Sequence, residues 1–299
     1  MKLAAIDIGS NAARLLISEA SPNSAGTMDF TKVNLVRVPL RLGFDVFSHN
    51  SISEKRAGHL IDTIKAYKLL LDVYEVKYLK ACATSAMRDA ANGPEILQEV
   101  RTQTGIDIRI ISGQEEASYI YENHVAEHLD KTKSYLYIDV GGGSTELTLF
   151  SGSRLIFKES FNIGTIRLLQ NQVTDAMWQQ VKEFLKSQLR SIGPVFAIGS
   201  GGNINKVFSL SKRKEGKPLS LDTLKDYYKE FSNFSVEERI HIYNLREDRA
   251  DVIVPALLIY INVMRWADAP EIYVPKIGLA DGLIQALYRE IALPGNVDL

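Results

Sequence analysis

The chain has little of what a disulfide-stapled, zinc-rich or membrane-bound protein needs. Among its 299 residues there is one cysteine, Cys82, so no internal disulfide can form. One thiol and five scattered histidines are too few for a cysteine-rich zinc module. No uninterrupted apolar run approaches the roughly 20 residues of a membrane-spanning helix, and the first apolar stretch meets Asp7 too early for a secretory signal. These absences predict a cytoplasmic protein without a membrane partner.

An excess of charge of one sign is also lacking. Lysine and arginine number 35 and aspartate and glutamate 36, for a net charge of -1. The chain therefore lacks the excess of positive charge that is typical of nucleic-acid-binding proteins. The one local basic cluster comprises Lys206, Lys212, Arg213, Lys214 and Lys217. Such a run is typical of a solvated loop, and guidance of a long polyanion is the alternative.

What the chain does contain is an internal repeat. Residues 3–9 and 135–141 are both short apolar runs that end in Asp-(Ile/Val)-Gly, and the two aspartates, Asp7 and Asp139, are 139 − 7 = 132 positions apart. Each run continues through small polar residues into a second and a third strand-like run and then a helical pattern. The sequence therefore predicts two copies of a β-β-β-α unit.

Further strands alternate with helices beyond these units. The patterns predict strands at 76–84, 106–112, 195–199 and 271–275, and helices at 93–104, 114–128, 249–266 and 279–291. The expected fold class is α/β, with mixed sheets covered by helices. A polar segment at 126–133 predicts a boundary between domains 1–125 and 126–299, with packing of the final helix back on the first domain as an option. Residues 206–248 carry no decisive pattern.

Both Asp-Gly turns have the composition of an anion site. A tight turn of Gly, Ser, Thr and Asn exposes backbone N–H groups, which together form a concave nest for an anion. Three consecutive glycines at 141–143 are costly in backbone entropy unless something approaches closely. Two such nests facing each other across a cleft would clamp a phosphate chain, with Asp7 and Asp139 holding Mg²⁺. A turn with no further role is the alternative for either loop alone.

Two other motifs carry weaker signals. The loop 199–203 follows a strand and opens a helix, which suits an anion-binding helix N-terminus or a tight turn equally well. It matches neither the dinucleotide-binding fingerprint nor a P-loop. Residues 124–128 match an H-x-x-E-H zinc pattern, but they end a predicted helix at the domain boundary and favour a solvated helix end.

Four side chains are candidates for the chemistry itself. Glu115 and Glu116 open a predicted helix that Ser112 caps, and at most one of them can enter a cleft because helical neighbours project about 100° apart. Hydrolysis of a phosphate anhydride needs a carboxylate that orients water and cations that neutralise phosphoryl oxygens. Arg88 and Arg14 could supply the cations, and surface pairing, as of Arg88 with Asp89, is the alternative.

Five segments in order resemble the motifs of the exopolyphosphatase/guanosine pentaphosphate phosphohydrolase (Ppx/GppA) family, in a short two-domain form: 6–11, 83–90, 111–117, 138–146 and 199–202. The resemblance spans nearly the whole chain. It implies a duplicated actin-like (ASKHA, ribonuclease H-like) fold with a Mg²⁺-dependent site in the interdomain cleft. It also implies hydrolytic release of a terminal phosphate from inorganic polyphosphate or pppGpp.

The resemblance also implies roles for individual residues. Glu116 matches the water-activating glutamate, Asp139 the catalytic and metal-binding aspartate, and Arg88 a phosphate-binding arginine. Metal ligands would be Asp139, Glu146 and Asp7. The phosphate-binding residues would be Asp7, Gly9, Ser10, Asn11 and Arg14 in the first loop and Gly141, Gly142, Gly143, Ser144 and Thr145 in the second.

Some positions depart from the family pattern. Ala12 and Ala13 stand where a hydroxyl is frequent, and residues 203–206 lack the usual threonine-rich continuation. A kinase on the same duplicated scaffold, or a non-catalytic sensor of (p)ppGpp, are the alternative functions. The sequence does not separate polyphosphate from pppGpp, and it leaves the oligomeric state open, with a homodimer among the options.

Overall fold

The computed structural model describes residues 1–23, 27–121, 130, 132–152, 154–275 and 278–292. The chain divides into two compact units: unit 1 comprises Met1–Asn123 with Gly278–Leu299, and unit 2 comprises His124–Ile277. The histidine pattern at 124–128 and most of the predicted boundary at 126–133 lie outside the described residues. No helix within the described residues is long and apolar enough to cross a membrane.

Unit 1 is built on a five-stranded mixed sheet of order β3-β2-β1-β4-β5. β1 to β3 form an antiparallel meander, and β4 and β5 run parallel to β1. The elements are β1 (Lys2–Ile8), β2 (Ala13–Pro22), β3 (Met28–Val38), α1 (Leu42–His49), α2 (Glu54–Val73), β4 (Tyr78–Ala83), α3 (Ser85–Asp89), α4 (Gly93–Thr104), β5 (Arg109–Ile110), α5 (Gly113–Tyr121) and α13 (Leu279–Ala292).

Unit 2 repeats this plan in a six-stranded sheet of order β10-β11-β9-β6-β7-β8. β6 to β8 are antiparallel neighbours, β9 is parallel to β6, and β11 is parallel to β9. The elements are β6 (Ser134–Val140), β7 (Thr145–Ser151), β8 (Arg154–Phe161), α6 (Thr165–Leu169), α7 (Asp175–Leu189), β9 (Val195–Ser200), α8 (Gly202–Leu210), β10 (Leu219–Ser220), α9 (Leu221–Ser232), α10 (Val236–Tyr243), α11 (Glu247–Ala250), α12 (Ile253–Trp266) and β11 (Glu271–Tyr273).

The apolar faces of both sheets are covered by helices, as the α/β prediction required. In unit 1, Leu283 and Ile284 of α13 pack with Leu3 of β1 and Leu16 of β2 in one buried cluster. In unit 2 the central helix is α12, whose Leu257, Met264 and other buried residues pack on the apolar side of β6 and β7. Burying these side chains is the main favourable term in folding each unit.

Several boundaries differ from the sequence-based expectation. β5 contains two residues rather than the predicted seven, and the short helices α1, α3 and α6 were not predicted. The helix expected at 249–266 is interrupted between α11 and α12. Pro255 explains this break, because proline has no N–H to donate back to residue 251 and its ring clashes with that carbonyl.

Candidate functional site

The two repeats end their first strands in the same turn. Between β1 and β2, the Gly9 N–H donates to the Ala12 carbonyl over 3.0 Å, and between β6 and β7, the Gly141 N–H donates to the Ser144 carbonyl over 2.9 Å. We call residues 9–12 turn 1 and residues 141–144 turn 2. The turns therefore share their closing hydrogen bond as well as their sequence pattern.

The carbonyl groups of both turns are occupied by the next helix. The Ser10 carbonyl accepts from Gly43 N–H at the start of α1, and the Gly142 carbonyl accepts from Ile166 N–H in α6, each over 2.9 Å. Among the described residues, no carbonyl accepts from the N–H groups of Ser10, Ala12, Gly142, Gly143 or Ser144. Each turn thus presents free N–H donors, which is the arrangement predicted for an anion nest.

Gly164 allows turn 2 to lie against α6. A Cβ at Gly164 would stand 2.3 Å from the Gly142 carbonyl oxygen, a distance that no real Cβ tolerates. Thr145 fixes the same junction, because its buried hydroxyl donates to the Ile163 carbonyl over 2.5 Å, and Arg167 Nε donates to the Gly143 carbonyl over 2.8 Å. The hydroxyl of Thr145, predicted to bind phosphate, is thus engaged in holding turn 2.

In unit 1 the strand ends carry a basic row. Asp7 stands directly opposite Arg14 on β2, which in turn stands opposite Arg37 on β3. Directly opposite residues share one face of a sheet, and Arg14 Nη1 donates to Asp7 Oδ2 over 2.6 Å. Asp7 is buried at 3% exposure. The Arg14 guanidinium already compensates its charge, at a carboxylate where the sequence predicted Mg²⁺. On the other side, Cys82 of β4 stands opposite Asp7.

In unit 2 the equivalent row is acidic. Asp139 stands opposite Glu146 on β7, which stands opposite Ser160 on β8. A carboxylate oxygen of Asp139 lies within 4.8 Å of one from Glu146. Ser160 Oγ donates to Glu146 Oε1 over 2.9 Å and orients it. Two carboxylates on one face are the hard oxygen donors that Mg²⁺ prefers, so this pair fits the predicted ion, whereas Arg14 replaces the glutamate in unit 1.

Tyr260 of α12 is a buried phenol close to Asp139. Burial raises the pKa of Tyr260 well above its usual value, and the negative charge of Asp139 raises it further. The neutral Tyr260 hydroxyl donates to the Ser200 carbonyl over 2.5 Å. Tyr260 therefore anchors the end of β9 beside Asp139, a role that its place in an apolar helix did not indicate.

Glu115 and Glu116 occupy different environments. Glu115 completes a capping arrangement with Ser112, because the Ser112 N–H donates to Glu115 Oε2 over 2.8 Å and the Glu115 N–H donates to Ser112 Oγ over 3.2 Å. It also forms an ion pair with Arg109 at 2.8 Å. These hydrogen bonds, that of the Ser112 N–H foremost, lower the pKa of Glu115. Glu116 is buried at 9% exposure and takes no part in the cap.

Arg88 lies in α3, directly after β4. Its Nη1 donates to the Ile111 carbonyl over 2.9 Å, while its Nε is 3.9 Å from Asp89 Oδ1. The hydrogen bond to Ile111 ties Arg88 to the segment that leads into α5, so the predicted pairing with Asp89 is the weaker of its two contacts. Ser10 and Ser85 share a buried hydrogen bond of 2.8 Å between their hydroxyls, which fixes α3 to turn 1.

The third glycine loop adjoins Asp139. Gly201 has a φ of 110°, which favours glycine, and a Cβ there would stand 3.3 Å from Asp139 Oδ1. Ser200, the last residue of β9, stands directly opposite Asp139. The sequence pattern did not mark Ser160 or Arg37, and it marked Ser200 only as part of the loop 199–203. Their signal is their register with Asp7 and Asp139, which becomes visible only once the strands are paired.

Comparison with known proteins finds one matching family model and several relatives. The family model described as the Ppx/GppA phosphatase family matches residues 21–290. A guanosine-5'-triphosphate,3'-diphosphate pyrophosphatase of Vibrio vulnificus is 26% identical over 96% of this chain and 59% of its own length. A bifunctional 3-dehydroquinate synthase/phosphatase of Fusobacterium nucleatum is 33% identical over 56% of this chain and 26% of its own length. The chain thus spans less than two thirds of either curated relative.

Solved structures agree in fold over the whole chain. A Ppx/GppA family member from Aquifex aeolicus is 27% identical, with a TM-score of 0.75 over 100% of this chain and 99% of the other. An exopolyphosphatase from Cytophaga hutchinsonii has a TM-score of 0.83 at 22% identity and covers 98% of each chain. The predicted duplicated actin-like fold, with mixed sheets covered by helices, is confirmed.

Proposed function

Because this chain belongs to the Ppx/GppA phosphatase family, we propose that it is a Mg²⁺-dependent phosphohydrolase that releases terminal phosphate from inorganic polyphosphate or pppGpp. The observation that carries this proposal is the acidic pair Asp139 and Glu146 beside the open N–H groups of turn 2. The names of its relatives, exopolyphosphatase and guanosine-5'-triphosphate,3'-diphosphate pyrophosphatase, support the substrate class.

Asp139 and Glu146 are the residues that would hold Mg²⁺. When bound, the ion would neutralise charge on the phosphoryl oxygens and assist departure of the shortened chain as the leaving group. Ser160 keeps Glu146 oriented by its hydrogen bond. For Asp7, the ion pair with Arg14 supports a positioning role for that guanidinium, and metal binding by Asp7 stays a prediction.

The N–H groups of turn 1 and turn 2 would bind phosphoryl oxygens. Backbone donors suit this task because they are fixed by the turn before the ligand arrives and need no reorganisation. Arg14 and Arg88 would add the positive charge that the equatorial oxygens require. In this proposal the acidic pair belongs to unit 2 and the basic groups belong to unit 1.

Glu116 is the proposed general base. Phosphate-anhydride hydrolysis needs a water held in line with the terminal phosphorus, and a carboxylate orients that water and accepts its proton. Glu116 is buried in the first turn of α5, while its neighbour Glu115 is committed to the cap. The balanced outcome is one orthophosphate and a chain shortened by one phosphoryl group, with the water proton passing to the Glu116 carboxylate.

A matched pair of variants tests this assignment. Removal of a general base costs about 10²–10⁴-fold in rate, so we expect Glu116→Gln to lose at least about a hundredfold in kcat. Glu115→Gln alters the same charge one position away and should keep its kcat within about threefold, because it changes only the cap and the ion pair with Arg109. Phosphate release from polyphosphates of several lengths, pppGpp and ATP, each with and without Mg²⁺, is the measurement.

The same assay separates the alternatives. Equal loss in both variants would contradict the role of Glu116. Release of phosphate without Mg²⁺ would contradict the metal assignment. ATP-dependent transfer to a small acceptor would support a kinase, and tight calorimetric binding of (p)ppGpp without phosphate release would support a sensor.

A further inference from the structure

Ser200 belongs to a row of four polar residues across unit 2. Ser160, Glu146, Asp139 and Ser200 stand directly opposite one another on β8, β7, β6 and β9, so all four project from the same face of the sheet. The two carboxylates are therefore flanked by two hydroxyls. The hydroxyl of Ser160 is engaged with Glu146.

The hydroxyl of Ser200 is not engaged. Ser200 is 2% exposed, and its Oγ has no hydrogen-bond partner among the described residues. Burial of a hydroxyl without a partner is unfavourable, and native proteins keep few such groups. A hydroxyl in this state beside Asp139 points to a ligand that completes its hydrogen bonding.

The start of α8 offers more donors at the same place. Its N-cap is Gly201, which has no side chain, and the N–H groups of Gly202, Asn203 and Ile204 have no acceptor among the described residues. Because the Cβ position of Gly201 is 3.3 Å from Asp139 Oδ1, this helix end and Ser200 converge on the same carboxylate. An open helix N-terminus carries partial positive charge and binds anions.

Arg249 strengthens this site. Its Nη1 donates to the Gly202 carbonyl over 2.6 Å, and a Cβ at Gly202 would stand 2.8 Å from its Nη2. A guanidinium is thus held against the first residue of α8. With glycine at position 202, the guanidinium reaches this place without a shift of its side chain.

The first repeat lacks this arrangement. The residue opposite Asp7 on the corresponding parallel strand is Cys82, which is buried in the apolar cluster with Leu3, Leu16 and Leu283. The helix that follows β4 is the five-residue α3, which is too short for a developed dipole. The unsatisfied hydroxyl is thus a feature of unit 2 that the duplication alone does not explain.

We propose that Ser200 and the first turn of α8 bind the phosphoryl group next to the terminal one. This subsite would select phosphoanhydride chains over single phosphates, since only a chain can occupy turn 2 and α8 together. The inference rests on the proposed function, because it assumes that the terminal phosphoryl group binds at turn 2. Ser200 Oγ–H and the α8 N–H groups donate to its oxygens, and Arg249 offsets its charge.

Calorimetry with Mg²⁺ in a Glu116→Gln background tests the subsite without turnover. Loss of one hydrogen bond to a charged group corresponds to about tenfold in affinity. We expect Ser200→Ala to raise the Kd of tripolyphosphate about tenfold and to leave the Kd of orthophosphate within about twofold. Ser200→Cys keeps the side-chain volume with a weak donor, so it should show the same loss if hydrogen bonding rather than a cavity is responsible.

Ser160→Ala is the matched control. It removes a hydroxyl from the other end of the row, so it should weaken Mn²⁺ binding, measured by electron paramagnetic resonance, and affect both phosphate ligands alike. Unchanged tripolyphosphate affinity in Ser200→Ala, or an equal loss for orthophosphate, would overturn the inference. If the wild type hydrolyses tripolyphosphate while Ser200→Ala keeps its KM, only the subsite fails. If the wild type neither binds nor hydrolyses any phosphate chain, the proposed function fails with it.

Discussion

Glu115 and Glu116 are neighbours in the chain, yet the structure gives them separate tasks. The sequence showed that helical geometry allows only one of them to face a ligand, and the capping bonds identify Glu115 as the one with a structural role. The pattern Ser112-x-x-Glu115 is itself a capping signature, so this division could be predicted from the residues. That Glu116 is buried could not, because burial depends on what packs around α5.

The pH dependence of stability reports on the cap. The pKa of Glu115 is lowered in the folded state, so its stabilisation is present above the unfolded pKa of about 4.3 and is lost as the pH falls through the folded pKa. We expect the Tm gap between the wild type and Glu115→Gln to be constant between about pH 7 and pH 5.5 and to shrink below about pH 4.5. The gap corresponds to about 1 kcal/mol or less, since the Glu115 side chain is 42% exposed. A gap that persists unchanged to about pH 3 would contradict this role.

Asp7 and Asp139 differ in the side chain that stands opposite each of them. Asp7 and Asp139 have the same sequence context, and that context predicts the same ligand role for both. The difference lies in the residue opposite each one, Arg14 in one repeat and Glu146 in the other. Because these partners sit at equal distances along the chain, seven residues after each aspartate, this contrast was present in the sequence and needed only the hairpin register to be seen.

Among the elements, those with strong helical periodicity were predicted best. The bounds of α4 agree with the expected 93–104, because this helix has a buried apolar stripe and a defined end. α10 fell in the undecided region 206–248, and it has no buried residue, so no apolar stripe marks it. The five-residue helices α3 and α6 are too short to show a period at all.

The packing of α13 on α5 depends on one glycine. A Cβ at Gly282 would stand 1.8 Å from the Tyr119 carbonyl oxygen, so Gly282→Ala must push α13 away from α5. We expect a loss of about 1–3 kcal/mol in the free energy of unfolding, measured by urea titration, and a fall in kcat because α5 carries Glu116. Gly58 in α2 has open space around it, so Gly58→Ala should stabilise the protein by about 0.5–1 kcal/mol. Equal stability of Gly282→Ala and the wild type would contradict the tight approach.

For the whole molecule, α13 is essential to unit 1 although it follows unit 2 in the chain. Leu279, Leu283, Ile284 and Leu287 of α13 are buried against the sheet of unit 1. Each such side chain contributes about 2–5 kcal/mol, so their combined loss, about 8–20 kcal/mol, matches or exceeds the roughly 5–15 kcal/mol by which a domain is stable. Deletion of residues 278–299 should therefore unfold unit 1.

Hydrogen exchange read by mass spectrometry would test this expectation. After the deletion, amides of β1 and β4 should lose protection, while those of β6 and β9, whose core contains no residue of α13, should keep it. Leu283→Ala is the milder variant and should lower the protection of β1 without abolishing it. Protection of β1 and β4 that survives the deletion would show that α13 is dispensable.

Because α13 of unit 1 follows unit 2 in the chain, the two units complete their folding in a fixed order during synthesis. Synthesis proceeds from the N-terminus, and domains generally fold as units while it does so. Unit 2 has its full set of strands and helices once residue 273 has been made, whereas the apolar side of β1 and β2 waits for α13. The half that is translated first is thus the half that matures last, and its leucines on β1 and β2 stay uncovered in the interval.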